Sequence, residues 1–176
     1  MTTEFSRVER LDMIGGEDRQ VSIEANAEER LALSRRFGLV SLDHLSAAFA
    51  IRRDGNAVSA RGHVSAAVVQ SCTVTGTPLP ATVDEDVALR FVEPATATGG
   101  EEEVELSGDA LDTIEIEGGG IDLGEAAAET MALALDPFPR SPDAAAVLKQ
   151  AGVISEEEAG AFSALAGLKA KLEGKA

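Results

Sequence analysis

Two long alternating runs meet at a glycine turn in the first half of the chain. Leu45, Ala47, Phe49 and Ile51 alternate with Ser46, Ala48, Ala50 and Arg52, and beyond Asp54-Gly55 the set Val58, Ala60, Gly62, Val64, Ala66 and Val68 alternates likewise. A period of two puts each apolar set on one face of a pleated strand. Asp-Gly between two such runs is a hairpin signature. A two-residue turn at Asp54-Gly55 pairs Ile51 with Val58, Phe49 with Ala60 and Leu45 with Val64, whereas a slip by one residue would set an apolar row against a polar one. The same register sends Arg52, Arg61 and His63 to the outer face, with Arg53 beside Arg52 in the chain. Gly62, opposite a core residue, marks a bulge or a barrel corner.

The second run leads into Gln70-Ser-Cys72-Thr-Val-Thr75-Gly76-Thr-Pro78. Gly76 supplies backbone freedom and Pro78 lacks a ladder donor, so the chain is redirected here. Val83, Val87, Leu89 and Phe91 then form a strand with Asp84, Asp86, Ala88 and Arg90 facing out; Glu85 falls on the apolar parity near the strand's start. Upstream, residues 4–11 form a weak strand, and Val21, Ile23 and Ala25 alternate as a better one. Asn26 with Glu29 three residues on is a capping-box pattern for a helix over 27–37 that stops at Gly38.

Downstream, residues 93–110 have loop composition, with too little apolar surface to offset the entropy of ordering them. Ile114 and Ile116 mark a short strand over 111–117, ahead of a Gly118-Gly-Gly120 linker. Asp122 with Glu125 caps a helix through Leu135, and Glu125 and Glu129, one turn apart on one face with no supporting His, read as solvated acids rather than as a hard-cation site. Pro137 and Pro139 end it. Ser141-Pro142 starts a short helix closing near Gly152, and Ser155 with Glu158 caps an amphipathic one bearing Phe162, Leu165, Leu168 and Leu172, weakened by Gly160 and Gly167. The expected class is α+β: an antiparallel twisted sheet, or a small open or split β-barrel, with helices packed on one side. The expected organisation is one domain over 1–140 with a loop at 93–110, then a helical tail over 141–176.

At 176 residues and 44% hydrophobic content the chain is long enough for one domain with a real core. Aromatics are 3%, with no Trp or Tyr, which leaves few platforms on which bases stack. Cys72 is the sole cysteine, so no internal disulfide forms; it reads as a small half-buried apolar residue. Two histidines and one cysteine do not make a four-ligand zinc site without carboxylates. The N-terminus lacks a secretory pattern and no window approaches the roughly 18 apolar residues of a spanning helix, so a cytoplasmic protein with no membrane partner is expected.

The net charge of −16 is unevenly divided. Residues 1–83 hold 10 acidic and 9 basic side chains, while 84–176 hold 21 and 6, a balance of −15. A field of that sign repels polyanions, so RNA contact must use the arginines of the first half or the terminal lysines, Lys169 and Lys171 among them. The acidic half suits a basic protein partner, or serves only solubility. No nucleophile with a base, glycine-rich phosphate loop or ligand cluster is present, and no cofactor or small-molecule substrate is implied.

The order Gly62-x-Val64-x-Ala66, Gln70-Ser-Cys72-x-x-Thr75-Gly76-x-Pro78 and an outward-acidic strand ending in Phe91 resembles the YceD family, the large ribosomal RNA subunit accumulation proteins. The Ile121-Asp-Leu123 start, Glu129, Leu133-Ala-Leu135, Pro137-Phe-Pro139-Arg140 and Phe162-x-x-Leu165-x-x-Leu168-Lys169 are similar to later parts of the family pattern. The resemblance covers most of the chain from about Val58. It implies a non-enzymatic role in accumulation or maturation of large-subunit (23S) ribosomal RNA, with that RNA or ribosomal proteins as partners. Many members carry Cys-x-x-Cys at this turn and a further cysteine pair near the end, which looks like a metal-binding arrangement. Here Cys72 matches the first position, Thr75 stands at the second and no cysteine follows, so no metal is expected. The competing readings are an acidic adaptor or chaperone-like module for basic ribosomal proteins and, least supported, an enzyme.

Overall fold

The two alternating runs become the central strands of a five-stranded sheet in the computed structural model, which describes residues 3–93, 112–116 and 118–153. These divide into two compact units: 1–71 with 78–137, and 72–77 with the chain from 138 on. In the first, β1 (Val8–Arg10), β2 (Arg19–Glu24), α1 (Ala27–Arg36), β3 (Ser41–Asp54), β4 (Ala57–Ser71), β5 (Pro78–Val92), β6 (Asp112–Glu115), β7 (Gly120–Asp122) and α2 (Leu123–Ala134) follow in order. The sheet runs β2-β3-β4-β5-β6 and stays open, while β1 and β7 form a separate antiparallel pair. The architecture is α+β with an open, mostly antiparallel sheet.

One face of this sheet is the core wall. Leu45, Phe49, Ile51, Val58, Ala60, Val64 and Val68 are buried there in one cluster with Leu33 of α1 and Ala126, Ala127, Ala128 and Met131 of α2. The alanines of α2 let that helix lie close, which suits a chain with few large side chains. Gly124 goes further: a Cβ there would stand 2.4 Å from the Phe5 carbonyl oxygen. The helix starts follow their caps. Asn26 Oδ1 accepts from the N–H groups of Glu28 and Glu29, and the Glu29 carboxylate accepts from the Asn26 N–H at 2.7 Å, the reciprocal pair expected. Asp122 Oδ1 accepts likewise from Gly124 and Glu125.

The hairpin register corrects the sequence reading by two residues. The loop is Gly55-Asn56, so Asp54 pairs Ala57, Ile51 pairs Ala60, Phe49 pairs Gly62 and Leu45 pairs Ala66. Gly55 opens it at φ +62, in a two-residue turn whose first position tolerates glycine best. An even shift keeps parity, so the same side chains face the core. Phe49 now lies against Gly62, where an added Cβ would meet Ala48 O at 2.2 Å and Phe49 Cδ1 at 2.8 Å. Gly62 therefore marks close packing rather than a bulge, and the register irregularity falls between Leu42 and His44.

Three further expectations change. β5 already begins at Pro78, so Glu85 sits mid-strand opposite Val64 and is exposed there, on the stretch of β5 that, among the described residues, has no strand on its other side. β6 joins β5 in parallel, which requires a crossover of roughly a dozen residues or more, and the stretch 93–111 provides that length. Gly120 is a strand residue paired with Arg10 rather than linker, and a Cβ there would meet Val8 Cγ1 at 2.7 Å. Apart from Glu93, the expected loop lies outside the described residues.

The second unit holds the Cys72–Thr77 turn and α3 (Ala144–Gln150), which ends at Gly152 with φ +80. The helix expected from Ser155 and Glu158, with Gly160, Phe162, Leu165, Gly167, Leu168 and Leu172, lies outside the described residues, as do Lys169 and Lys171.

Gly62→Ala is expected to lower the unfolding free energy by about 1–3 kcal/mol through overpacking, read as a lower urea midpoint. A Gly62→Ala protein of unchanged midpoint would contradict this packing.

Candidate functional site

The register composes the outer face of the sheet row by row. Across β3, β4 and β5 one row reads Arg52, Ser59, Arg90; including β2, the following rows read Gln20, Ala50, Arg61, Ala88, then Ser22, Ala48, His63, Asp86, then Glu24, Ser46, Ser65, Asp84. Small residues separate the charges, so the surface is low in relief, with a shallow depression of about 400 Å³ around Ser22, Ala48, His63 and Ser65. The row beside the hairpin loop reads Asp54, Ala57, Val92, Glu115, so the arginines lie between two acidic margins. Arg52, Arg61 and Arg90 are exposed at the hairpin end and, among the described residues, have no ion-pair or hydrogen-bond partner. Glu24, Asp84 and Asp86 occupy the other end.

His63 belongs to the acidic end. Its Nδ1 lies 2.9 Å from Asp86 Oδ1 and its Nε2 contacts Asp84 Oδ1. Hydrogen bonds to Asp86 and then Asp84 raise its pKa above the ordinary histidine value. Arg53 points elsewhere: its guanidinium donates to the Leu11 and Gly55 carbonyls and lies 3.8 Å from Glu93. Of the cationic residues singled out from sequence, the structure brings Arg52 and Arg61 together and sets Arg53 and His63 in other company. Arg90 completes the group. Its outward phase was readable, but its neighbours depend on the β4–β5 register.

A second cluster surrounds Cys72, which is buried at 3% exposure. Its Sγ accepts from the Ser141 N–H at 3.2 Å and the Thr75 N–H at 3.4 Å, and lies 3.4 Å from Ser141 Oγ; the Thr75 and Ser141 hydroxyls are 3.2 Å apart. Thr73 donates through N–H and Oγ1 to the Pro139 carbonyl. Burial pushes the Cys72 thiol up, but the bonds from Ser141 and Thr75 prevail and bring it down to about 6. One thiol with two hydroxyls does not fit zinc, which takes four ligands from Cys, His and carboxylates. Among the described residues no group of three or more such side chains is placed to hold a metal.

Residues 60–169 match the family described as Large ribosomal RNA subunit accumulation protein YceD. The chain belongs to the YceD family. The YceD match takes in Arg61, His63, Cys72 and Arg90, while Arg52 and Arg53 precede it. Its name is that of an accumulation factor and not of an enzyme, and supports a role in accumulation of large-subunit ribosomal RNA. No curated protein and no solved structure gives a significant match. Among the described residues no helix is long and apolar enough to cross a membrane.

The other YceD motif positions are placed as follows. Gln70 Nε2 donates to the Asp136 carbonyl at 2.9 Å, Gly76 closes its turn at φ +72 with its N–H on Cys72 O, and Pro78 starts β5. Glu129, exposed on α2, lines a groove of about 830 Å³ with Phe91, Ile114 and Ile121, whereas Glu125 pairs with Arg36. Pro137 and Arg140 are exposed and Pro139 is half-buried. Phe162, Leu165 and Leu168 lie outside the described residues.

Thiolate ultraviolet absorbance should titrate near pH 6 in the folded protein and near the ordinary thiol value once unfolded. Because the folded pKa is the lower one, Cys72 adds stability above the unfolded value and loses it as pH falls toward 6, so the stability gap to Cys72→Ala should narrow on acidification. A pH-independent gap would contradict the cage. For His63 the sign reverses: its raised folded pKa adds stability below the unfolded value, lost as pH rises through the folded one. Histidine ring NMR should show the raised titration midpoint, which Asp84→Asn with Asp86→Asn should abolish.

Proposed function

We propose that this chain acts without catalysis in the accumulation and maturation of large-subunit (23S) ribosomal RNA, in the cytoplasm, as a factor in assembly of the large ribosomal subunit. The match of residues 60–169 to YceD carries the reading. The outer face supports direct RNA contact, since it offers exposed cations on a chain whose net charge is −16. A second reading is favoured by the −15 of residues 84–176: an acidic adaptor that holds a basic ribosomal protein and does not touch RNA.

Depletion of the protein is expected to lower large-subunit relative to small-subunit ribosomal RNA, and a tagged copy should co-sediment with large-subunit precursors after gentle lysis. Recovery only in the free fraction would contradict the proposal. RNase treatment before capture separates the two readings, because an adaptor complex survives it.

A further inference from the structure

We infer that Arg52, Arg61 and Arg90 form a phosphate-binding face that holds an RNA strand by its backbone at the hairpin end of the sheet. This rests on the RNA reading above and assigns it to particular atoms. Arg52 and Arg90 flank Ser59 on the two neighbouring strands, two inter-strand spacings or about 10 Å apart. Arg61 stands diagonally from each at roughly 7–8 Å. At that spacing each guanidinium takes its own phosphate, and the planar fork of arginine suits a bidentate contact. Ser59, Ala50 and Ala88 between them are small, so a sugar-phosphate backbone approaches without obstruction, and the Ser59 hydroxyl adds a donor at the centre.

The same face excludes other modes. Base stacking needs aromatic platforms, and Phe49 and Phe91 are both buried on the opposite side of the sheet. Recognition is therefore by backbone charge and is insensitive to sequence. Acids confine it on both sides: Asp54 and Glu115 in the row beside the loop, and Glu24, Asp84 and Asp86 at the far end, repel phosphates, so the strand's footprint is held to the arginine rows and ends near His63, which the two aspartates already engage.

The test is a fluorescence-anisotropy titration of the full chain against a labelled poly(U) strand and a large-subunit ribosomal RNA transcript at several salt concentrations. Three phosphate contacts to a single strand predict a log–log salt slope of about −2, or about 20-fold weaker binding between 50 and 200 mM salt. Arg52→Gln, Arg61→Gln and Arg90→Gln should each reduce the slope by about 0.7, the triple variant should flatten it, and Asp84→Asn with Asp86→Asn should strengthen binding. Arg53→Gln, whose guanidinium is held by carbonyls, should leave the slope unchanged. Urea midpoints of the exposed-arginine variants confirm folding. A triple variant with wild-type affinity and slope would overturn the inference while leaving the assembly role standing. So would a wild-type chain that co-sediments with precursors yet binds neither RNA, or a triple variant that loses co-sedimentation with unaltered RNA affinity, which would mean the arginines face an acidic protein. Failure of both binding and co-sedimentation would sink the assembly reading as well.

Discussion

The contact between Phe49 and Gly62 governs the arrangement of everything else. Phe49 is fully buried, and its ring and backbone come so near Gly62 that no side chain fits between them. Packing of this kind tolerates one pairing of β3 with β4, and that pairing sets which residues share a row across the whole sheet. Moving the strands by two residues would keep the core apolar yet leave Phe49 facing Ala60. The outer-face rows, including the one that places Arg52 and Arg90 on either side of Ser59, follow from a contact on the inner face.

Charge has two roles in this chain, and burial separates them. Arg36, at 30% side-chain exposure, pairs with Glu125 at 2.5 Å and Glu4 at 3.0 Å, tying α1 to the start of α2 and to the N-terminal segment. Arg7 pairs with Glu29, whose carboxylate also completes the α1 capping box. Partly desolvated pairs of this kind hold elements in place, and losing one partner leaves the other unsatisfied. Arg52, Arg61 and Arg90 have no such role among the described residues. On a chain of net charge −16, three exposed cations grouped on one end of a sheet stand out more than they would on a basic protein.

The turn at Cys72 solves the problem of a short, sharply bent segment through hydrogen bonds. The Ser141 and Thr75 N–H groups donate to one sulfur, which also bonds Ser141 Oγ, and Pro139 accepts from Thr73. The bonds from Ser141 and Thr75 favour the ionised form of the sulfur.

Local chemistry alone determined a large part of this protein. Alternation named both faces of β3 and β4, the Asn26–Glu29 and Asp122–Glu125 spacings located the starts of α1 and α2, and the motif order from Gly62 to Leu168 pointed to the family. These features depend on residues a few positions apart, whose geometry follows from the backbone period. Tertiary structure decided the two-residue shift of the hairpin, the parallel placement of β6, the strand role of Gly120 and the company of each arginine. Parity is blind to an even shift, so the turn at Gly55-Asn56 and the fit of Phe49 against Gly62 chose the register. Arg90 joins Arg52 and Arg61, while Arg53 and His63 leave them, because strand pairing brings together side chains that lie far apart in the chain.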